Sequence, residues 1–338
     1  MILRPIARQV FRAAEMTRAY PIRLQHPHKK LVYRLACPPE RPDGGELTVT
    51  RWAAGPLAEL AGAIAALPAR DATRFEAAEC FFQYEADPPG GDVLTWHMNF
   101  ADARLFGFHG GPLLAQDELQ VAEHPALGSL RDAMEDSDVP HMAPLTSEDG
   151  RRTPVLIRGV ERRCRIATEP DAAAGRPAGL YGNRFARADA DTVTRAVTPL
   201  VPPTITNLIA MEAPSYGRGL YTPSQIEDVL TNALTGYLAV RLETEAAGRR
   251  EAVVHSGFWG CGAFGGNRTL MPLLQLVAAQ MAGLSRLVFH TVDRDGTRDF
   301  RGALALHEAL GGAGAGAIDR LIDELVARGF RWGESDGN

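Results

Sequence analysis

The 338-residue sequence contains only four cysteines, Cys37, Cys80, Cys164 and Cys261, and none of them stands at a paired metal-ligand spacing or in a disulfide framework. This scarcity excludes a disulfide-stapled secreted scaffold and points to a reducing compartment. Long apolar runs are also missing. No window approaches the roughly 18 apolar residues that a membrane span requires, and arginines interrupt any signal-like apolar stretch in the opening MILRPIARQVFRAAEMTRAYP. A soluble cytoplasmic protein with no membrane partner is expected. An excess of positive charge is absent too: 36 Lys and Arg against 41 Asp and Glu leave a net charge of -5. That balance is the opposite of what neutralising nucleic-acid phosphates demands. His97, His109, His255 and His290 show no ligand spacing, so they are expected as core or rim groups, and no metal or other cofactor is expected.

What the sequence does hold is apolar residue, 45% of the total, enough for one large core. The Ala, Arg and Gly bias is that of a GC-rich bacterial genome. Residues 1–75 are expected to form an N-terminal accessory segment and residues 76–338 the main domain. Within the first part, KKLVYRLACPP (29–39) reads as a short strand ended by prolines, and GPLAELAGAIAALPARDA (55–72) as a helix. From VLTWHMNFADARLFGF onward, apolar strands alternate with helical stretches, the pattern of a layered α/β fold. PVLIRGVERRCRIAT, ITNLIAMEAP, EAVVHSGFW and SRLVFHTVD read as strands. TPSQIEDVLTNALTGYLAVRLETEA reads as a long amphipathic helix with Thr222 as its cap, and LMPLLQLVAAQMAGL as another helix. The segments 135–152 and 172–187 read as long loops, of the kind that border ligand sites.

One short stretch stands out. Gly260, Gly262, Gly265 and Gly266 put four glycines into the seven residues that join the EAVVHSGFW strand to the following helix. Such a loop offers backbone N–H groups and a positive helix end to an anion, and glycine lets a phosphate approach the backbone closely. The same cluster would also serve as a tight packing turn between strand and helix. Its literal G-x-G-x-x-G match, with Asp293 ending the next strand, suggests a dinucleotide fold, but only 45 residues follow Asp293. A nicotinamide-binding domain carries that fingerprint in its first βα turn, with several strands still to come.

The longer run GFWGCGAFGGNRTLMPLLQLVAAQ resembles the signature of the poly(ADP-ribose) glycohydrolase family, whose members carry a closely similar WGCGAFGG loop before a Leu- and Gln-rich helix. NLIAMEAPSYGRGLYTPSQIEDVLTNALTGYLA and VERRCRIATEPDAAAGRPAGLYGNRFA are similar to the family segments before that loop. The resemblance implies a three-layer α/β/α macrodomain-like core with a mixed sheet. It implies that Gly262, Ala263, Phe264, Gly265 and Gly266 contact the diphosphate and distal ribose of ADP-ribose. It places Glu212 at the acidic position after a strand and Tyr221 at the aromatic over the site, and it makes Cys261 structural.

In the same family, three glycines precede Gln-Glu-Glu. Here MNFADARLFGFHGGPLLAQDELQVAEHPAL aligns Gln116-Asp117-Glu118 with the catalytic triplet, which makes Glu118 the catalytic glutamate beside Asp117 and Gln116 a substrate contact. The glycine triplet becomes Phe106-Gly107-Phe108, or, with a gap, Gly110-Gly111 takes its place. Gly107 and Asp102, the latter where the family has asparagine, would face the ribose. Thr291 stands where the family has its adenine-stacking aromatic, with Phe289 close by on the same strand.

The chemistry suits those residues. Cleaving an O-glycosidic bond of ribose needs a proton donor for the leaving oxygen and then a positioned water. A glutamate whose pKa is raised by apolar neighbours and a second carboxylate can serve both steps. The expected function is hydrolysis of an ADP-ribose O-glycosidic linkage on a polymer, a modified protein or a small conjugate. The alternative is a non-catalytic ADP-ribose or nucleotide-binding module, prompted by the phenylalanines in the triplet.

Overall fold

A computed structural model describes residues 3–84, 90–214, 217–311 and 318–337. Its strands are β1 (Ala7–Arg12), β2 (Glu46–Arg51), β3 (Arg74–Ala78), β4 (Val93–Ala101), β5 (Ser147–Glu148), β6 (Arg151–Arg152), β7 (Val155–Ile166), β8 (Val197–Glu212), β9 (Glu251–Ser256) and β10 (Arg286–His290). The helices are α1 (Ala13–Ala19), α2 (Pro27–Ala36), α3 (Leu57–Ala65), α4 (Gln116–Glu123), α5 (Ala126–Glu135), α6 (Arg184–Arg187), α7 (Ala190–Ala196), α8 (Pro223–Ala246), α9 (Leu270–Ala282), α10 (Arg294–Ala309) and α11 (Ile318–Ala327). Ser215 and Tyr216, which interrupt one of the family-like segments, lie outside the described residues.

Eight strands form one sheet in the order β1-β2-β7-β8-β4-β9-β10-β3. The run β8-β4-β9-β10-β3 is parallel, and β7, β2 and β1 add to it antiparallel. Alternation along the central strands feeds two cores. Ile209 and Met211 of β8 point into a cluster with α8, α9 and α10, whereas Leu208 and Ala210 point into one with α1 and α5. The result is the expected mixed α/β arrangement, with helices on both faces of the sheet. Residues 1–75 contribute β1 and β2 to the end of that sheet and α1 and α2 to one of its faces.

Local sequence accounts for most elements. Thr222 accepts from the Gln225 N–H at 3.3 Å while the Gln225 side chain accepts from the Thr222 N–H at 3.0 Å, and Pro223 opens α8. The β9-α9-β10 unit forms as expected, with β9 and β10 parallel neighbours. The 29–39 segment is a correction: it is helix α2, not a strand. His26 caps it by accepting from the His28 N–H at 3.3 Å, Pro27 sits at its first position, and Lys29, Val32 and Ala36 bury one face at spacings of three and four. The prolines at 38 and 39 do follow its end. The 135–152 loop carries the small β5-β6 hairpin, and 172–187 carries the single turn α6.

Candidate active site

The carboxyl ends of β4, β9 and β10 lie side by side, the usual location of ligand sites in open parallel sheets. Pairing between β4 and β9 stops at His97 with His255. Beyond that point the Gln116 side chain takes up the exposed edge of β4, accepting from the Phe100 N–H at 2.7 Å and donating to the Met98 carbonyl at 2.9 Å. Gln116 is thereby a clamp that ties the start of α4 to the end of β4. This places Asp117 and Glu118 on the first helical turn, at a cavity of about 940 Å³.

Both carboxylates are buried, at 7% and 4% exposure. Asp117 Oδ1 accepts from Asn99 Nδ2 at 2.9 Å, and Glu118 Oε2 accepts from the Ala115 N–H at 3.1 Å. Burial raises the pKa of Asp117, and the neighbouring Glu118 charge pushes it the same way. Burial also raises that of Glu118, opposed by the Lys29 ammonium. The pair is built to hold a proton near neutral pH, as an acid/base group requires.

The opposite wall is the glycine loop. Gly265 and Gly266 spend their N–H groups inside it, on the carbonyls of Gly262 at 3.0 Å and Gly260 at 2.8 Å. Gly262, Ala263 and Phe264 line the cavity, while Gly265 and Gly266 stand behind them. Cys261 also lines it, but burial pushes its thiol up to about 12, so it is no thiolate. Segment 331–337 covers the back of the loop: Gly333 N–H donates to the Gly265 carbonyl at 2.9 Å and Asn267 Nδ2 to the Arg331 carbonyl at 2.8 Å. The segment ends with Asp336 in the cavity lining, where a Cβ on Gly262 would come within 3.2 Å of Asp336 Oδ2.

Asp102, Gln116, Asp117, Glu118, Gly262, Ala263 and Phe264 therefore share one cavity. Gly107 and Tyr221 are not among its lining residues. Tyr221 instead braces the loop from behind, accepting from the Asn267 N–H at 3.0 Å and stacking on Trp332 at 4.2 Å. In the Phe106-Gly107-Phe108 turn, Phe106 takes a left-handed backbone (φ 54°) that glycine would adopt without strain, and its ring is buried in the α1/α5 core. Phe108 is 50% exposed and forms part of the cavity rim. Glu212 is ion-paired with Arg152 at 2.7 Å, outside the cavity lining. Neither Thr291 nor Phe289 offers a stacking face there: Thr291 bonds Thr297 at 2.7 Å, and Phe289 packs on Phe300 in the core.

Several lining residues carried no sequence signal. Phe81, Phe82 and Tyr181 supply aromatic walls, and Arg162 stacks over Tyr84 while pairing with Glu123 at 2.7 Å. Asn99 reaches the Asp117 carboxylate and Lys29 the Glu118 main-chain carbonyl from elements distant in sequence, and only the fold brings them together. His97, His255 and His290 stack in a row at 4.6 and 5.1 Å, with His290 alone reaching the cavity. Among the described residues no three His, Cys, Asp or Glu are placed to hold a metal, and no helix is long and apolar enough to cross a membrane.

Residues 179–299 match the family described as Poly (ADP-ribose) glycohydrolase (PARG), Macro domain fold. The resemblance read from the glycine loop and the macrodomain-like fold class stand on that match. Among solved structures, the chain is similar to the poly(ADP-ribose) glycohydrolase of Thermomonospora curvata, at 16% identity over 86% of this chain and 97% of that one, TM-score 0.44. With the inhibitor ADP-HPD bound, that protein aligns at 16% identity over 86% and 96%, TM-score 0.45. The Deinococcus radiodurans enzyme in complex with ADP-ribose aligns at 17% identity over 78% and 95%, TM-score 0.46.

Proposed function

We propose that this chain, which matches the poly(ADP-ribose) glycohydrolase family over residues 179–299, is a glycosidase-type hydrolase that cleaves an O-glycosidic linkage of ADP-ribose. Its ligand is an ADP-ribose-containing polymer, modified protein or small conjugate, in the cytoplasm of a bacterium. The observation that carries this reading is that Asp117 and Glu118 share one cavity with Gly262, Ala263 and Phe264. The family match begins well after the carboxylates, so their role rests on that shared cavity and on their chemistry.

In this mechanism the face of the loop formed by Gly262, Ala263 and Phe264 holds the diphosphate and Asp102 faces a ribose hydroxyl. Glu118, its pKa raised by burial, donates a proton to the leaving oxygen as the C–O bond to the ribose breaks. The resulting carboxylate stabilises the oxocarbenium-like carbon and then takes a proton from the attacking water, which restores the acid. Asp117 stays on Asn99, and because burial and the Glu118 charge both raise its pKa, the two close carboxylates keep a proton between them.

The test is incubation of the purified protein with ADP-ribosylated protein, ADP-ribose polymer and small O-linked conjugates, following release of free ADP-ribose. Release that disappears in Glu118→Gln supports the reading, and no release from any substrate overturns it. The second reading, a binding module without turnover, is favoured by Phe106 and Phe108 in place of small residues. It predicts calorimetric binding of ADP-ribose that Glu118→Gln leaves unchanged, with no product.

A further inference from the structure

Helix α2 belongs to the N-terminal segment, yet it delivers a charge to the back of the carboxylate pair. Lys29 is 2% exposed, and its Nζ donates to the Glu118 main-chain carbonyl at 3.3 Å. The ammonium also stands 5.7 Å from the centroid of the Phe185 ring. Its helix neighbours Val32 and Ala36 are apolar and equally buried. A methionine or leucine would fill the position at no electrostatic cost, whereas a buried ammonium costs several kcal/mol unless opposite charge or hydrogen bonds offset it. The offset comes from the first turn of α4, where the charges of Asp117 and Glu118 support the protonated amine.

We infer that Lys29 is a positioning residue for the Asp117–Glu118 pair: its ammonium, fixed on the Glu118 carbonyl, sets how many protons the pair carries near neutral pH. The inference rests on the reading of that pair as the acid/base group. Without a cation behind them, two buried carboxylates would both hold their protons to high pH, and Glu118 would be too weak an acid to protonate the leaving oxygen. With the cation, one proton can leave. Burial pushes the Lys29 amine itself down to about 8, opposed by the two acids, so its charge depends on theirs.

The other charged or titratable groups facing these three are few, and one is the cavity-lining phenol of Tyr181, whose pKa is raised chiefly by burial and also by the Glu118 charge. Asp102, beyond the end of β4, repels both carboxylates. His109, from the turn after β4, is held neutral chiefly by burial and feels Lys29 and Arg131 as repulsion. On the segment of Lys29 itself, His26 is held down by burial, and His28 bonds the Phe185 carbonyl at 2.9 Å.

The experiment uses full-length wild type, Lys29→Met, Lys29→Gln and Lys29→Arg. Carboxyl carbon resonances of Asp117 and Glu118 are titrated by NMR, and the pH dependence of kcat/KM is measured alongside. Glutamine can still donate to the Glu118 carbonyl, so it separates charge from hydrogen bonding. Both neutral variants should move the titration of the pair up by roughly one pH unit or more, the effect expected for loss of an adjacent opposite charge. The alkaline limb of the rate profile should move with it, and arginine should restore both. A uniform loss of activity or stability, with the pair titrating as in wild type, overturns the inference. If neither neutral variant folds, the Lys29 Nζ resonance of wild type decides: it must shift as the pair titrates, and its indifference overturns the inference. A shifted titration with no turnover by any form leaves the Lys29 role intact and sinks only the glycohydrolase reading.

Discussion

Asn99 donates from one amide nitrogen to Asp117 Oδ1 at 2.9 Å and to Gln120 Oε1 at 2.8 Å, so strand β4 grips the first turn of α4 from inside the sheet. Asp117 is the member of the pair held from the strand, and in the proposed reaction Glu118 is the one that meets the substrate. Replacing Glu118 with Gln should lower turnover by about 10²–10⁴, the usual contribution of a positioned acid/base. Asp117→Asn, which preserves the acceptor for Asn99, should cost far less. Single-turnover release of ADP-ribose by the two variants measures the difference, and equal losses would mean that the roles are not divided this way.

The same anchored aspartate should mark the stability curve. Its folded pKa is raised well above an unfolded value near 3.9. The native state therefore holds a proton that the unfolded chain gives up, and stability contributed below pH 4 is lost as pH rises through the folded value. Asp117→Asn removes that loss. Its Tm should match wild type at pH 4 and exceed it by a few degrees at pH 8. A difference between the two proteins that stays constant with pH would contradict this.

How much of this arrangement is legible in sequence differs from one residue to the next. The glycine loop is, because a turn this tight between strand and helix demands glycine where a Cβ would meet backbone, as at Gly266. So is the α8 start, because Thr222, Pro223 and Gln225 are local signals. The 29–39 segment misleads because so short an apolar run, Leu31, Val32 and Leu35, fits a strand as well as a helix face, and the cap that decides the matter lies upstream at His26. The partners of Asp117 and of the Glu118 main chain are invisible: Asn99 lies 18 residues from Asp117 and Lys29 lies 89 from Glu118, and no spacing rule links them. Thr291 and Phe289 fail as a stacking position because the core claims both.

Two glycines of the loop should answer substitution in opposite ways. A Cβ at Gly266 would fall 2.6 Å from the Gly260 carbonyl oxygen, a backbone clash that nothing nearby can relieve. At Gly262 it would meet only the Asp336 side chain, at 3.2 Å. Gly266→Ala should therefore lower Tm by several degrees, as overpacking does. Gly262→Ala should leave Tm nearly unchanged while weakening ADP-ribose binding at least tenfold, by holding the diphosphate off the backbone. Thermal melts and calorimetry on both variants check the contrast.

Acid should attack the histidine row. Burial lowers His97 well below its ordinary value and pushes His255 down to about 3 and His290 to about 4. The unfolded chain takes up protons near pH 6.5 that the folded protein refuses, so stability present above that pH is lost as it falls toward 4. The carboxylate pair works in the opposite direction over the same range, so the informative quantity is the slope. The His255→Asn, His290→Asn double variant should lose fewer degrees of Tm between pH 7 and 5 than wild type, whatever its absolute stability. An unchanged slope would show that the row does not govern acid sensitivity.

The least comfortable feature of the cavity yields the last prediction. Asp336 reaches the lining beside Gly262, where the diphosphate of the ligand is proposed to lie. A carboxylate and a diphosphate in one partly desolvated space repel each other, and the repulsion grows as water is excluded. Binding must therefore either move Asp336 aside or tolerate its charge, and both lower affinity. Asp336→Asn keeps the shape and removes the charge, so it should tighten ADP-ribose binding several-fold and weaken the dependence of affinity on salt. Trp332 stays stacked on Tyr221 and Gly333 stays bonded to Gly265 in either protein, so the loop itself should not change. Adenosine, which lacks phosphate, provides the control: its affinity should be the same for both proteins. Calorimetry that finds weaker ADP-ribose binding in the variant would instead make Asp336 a group that grips the ligand, through a ribose hydroxyl rather than against its phosphates.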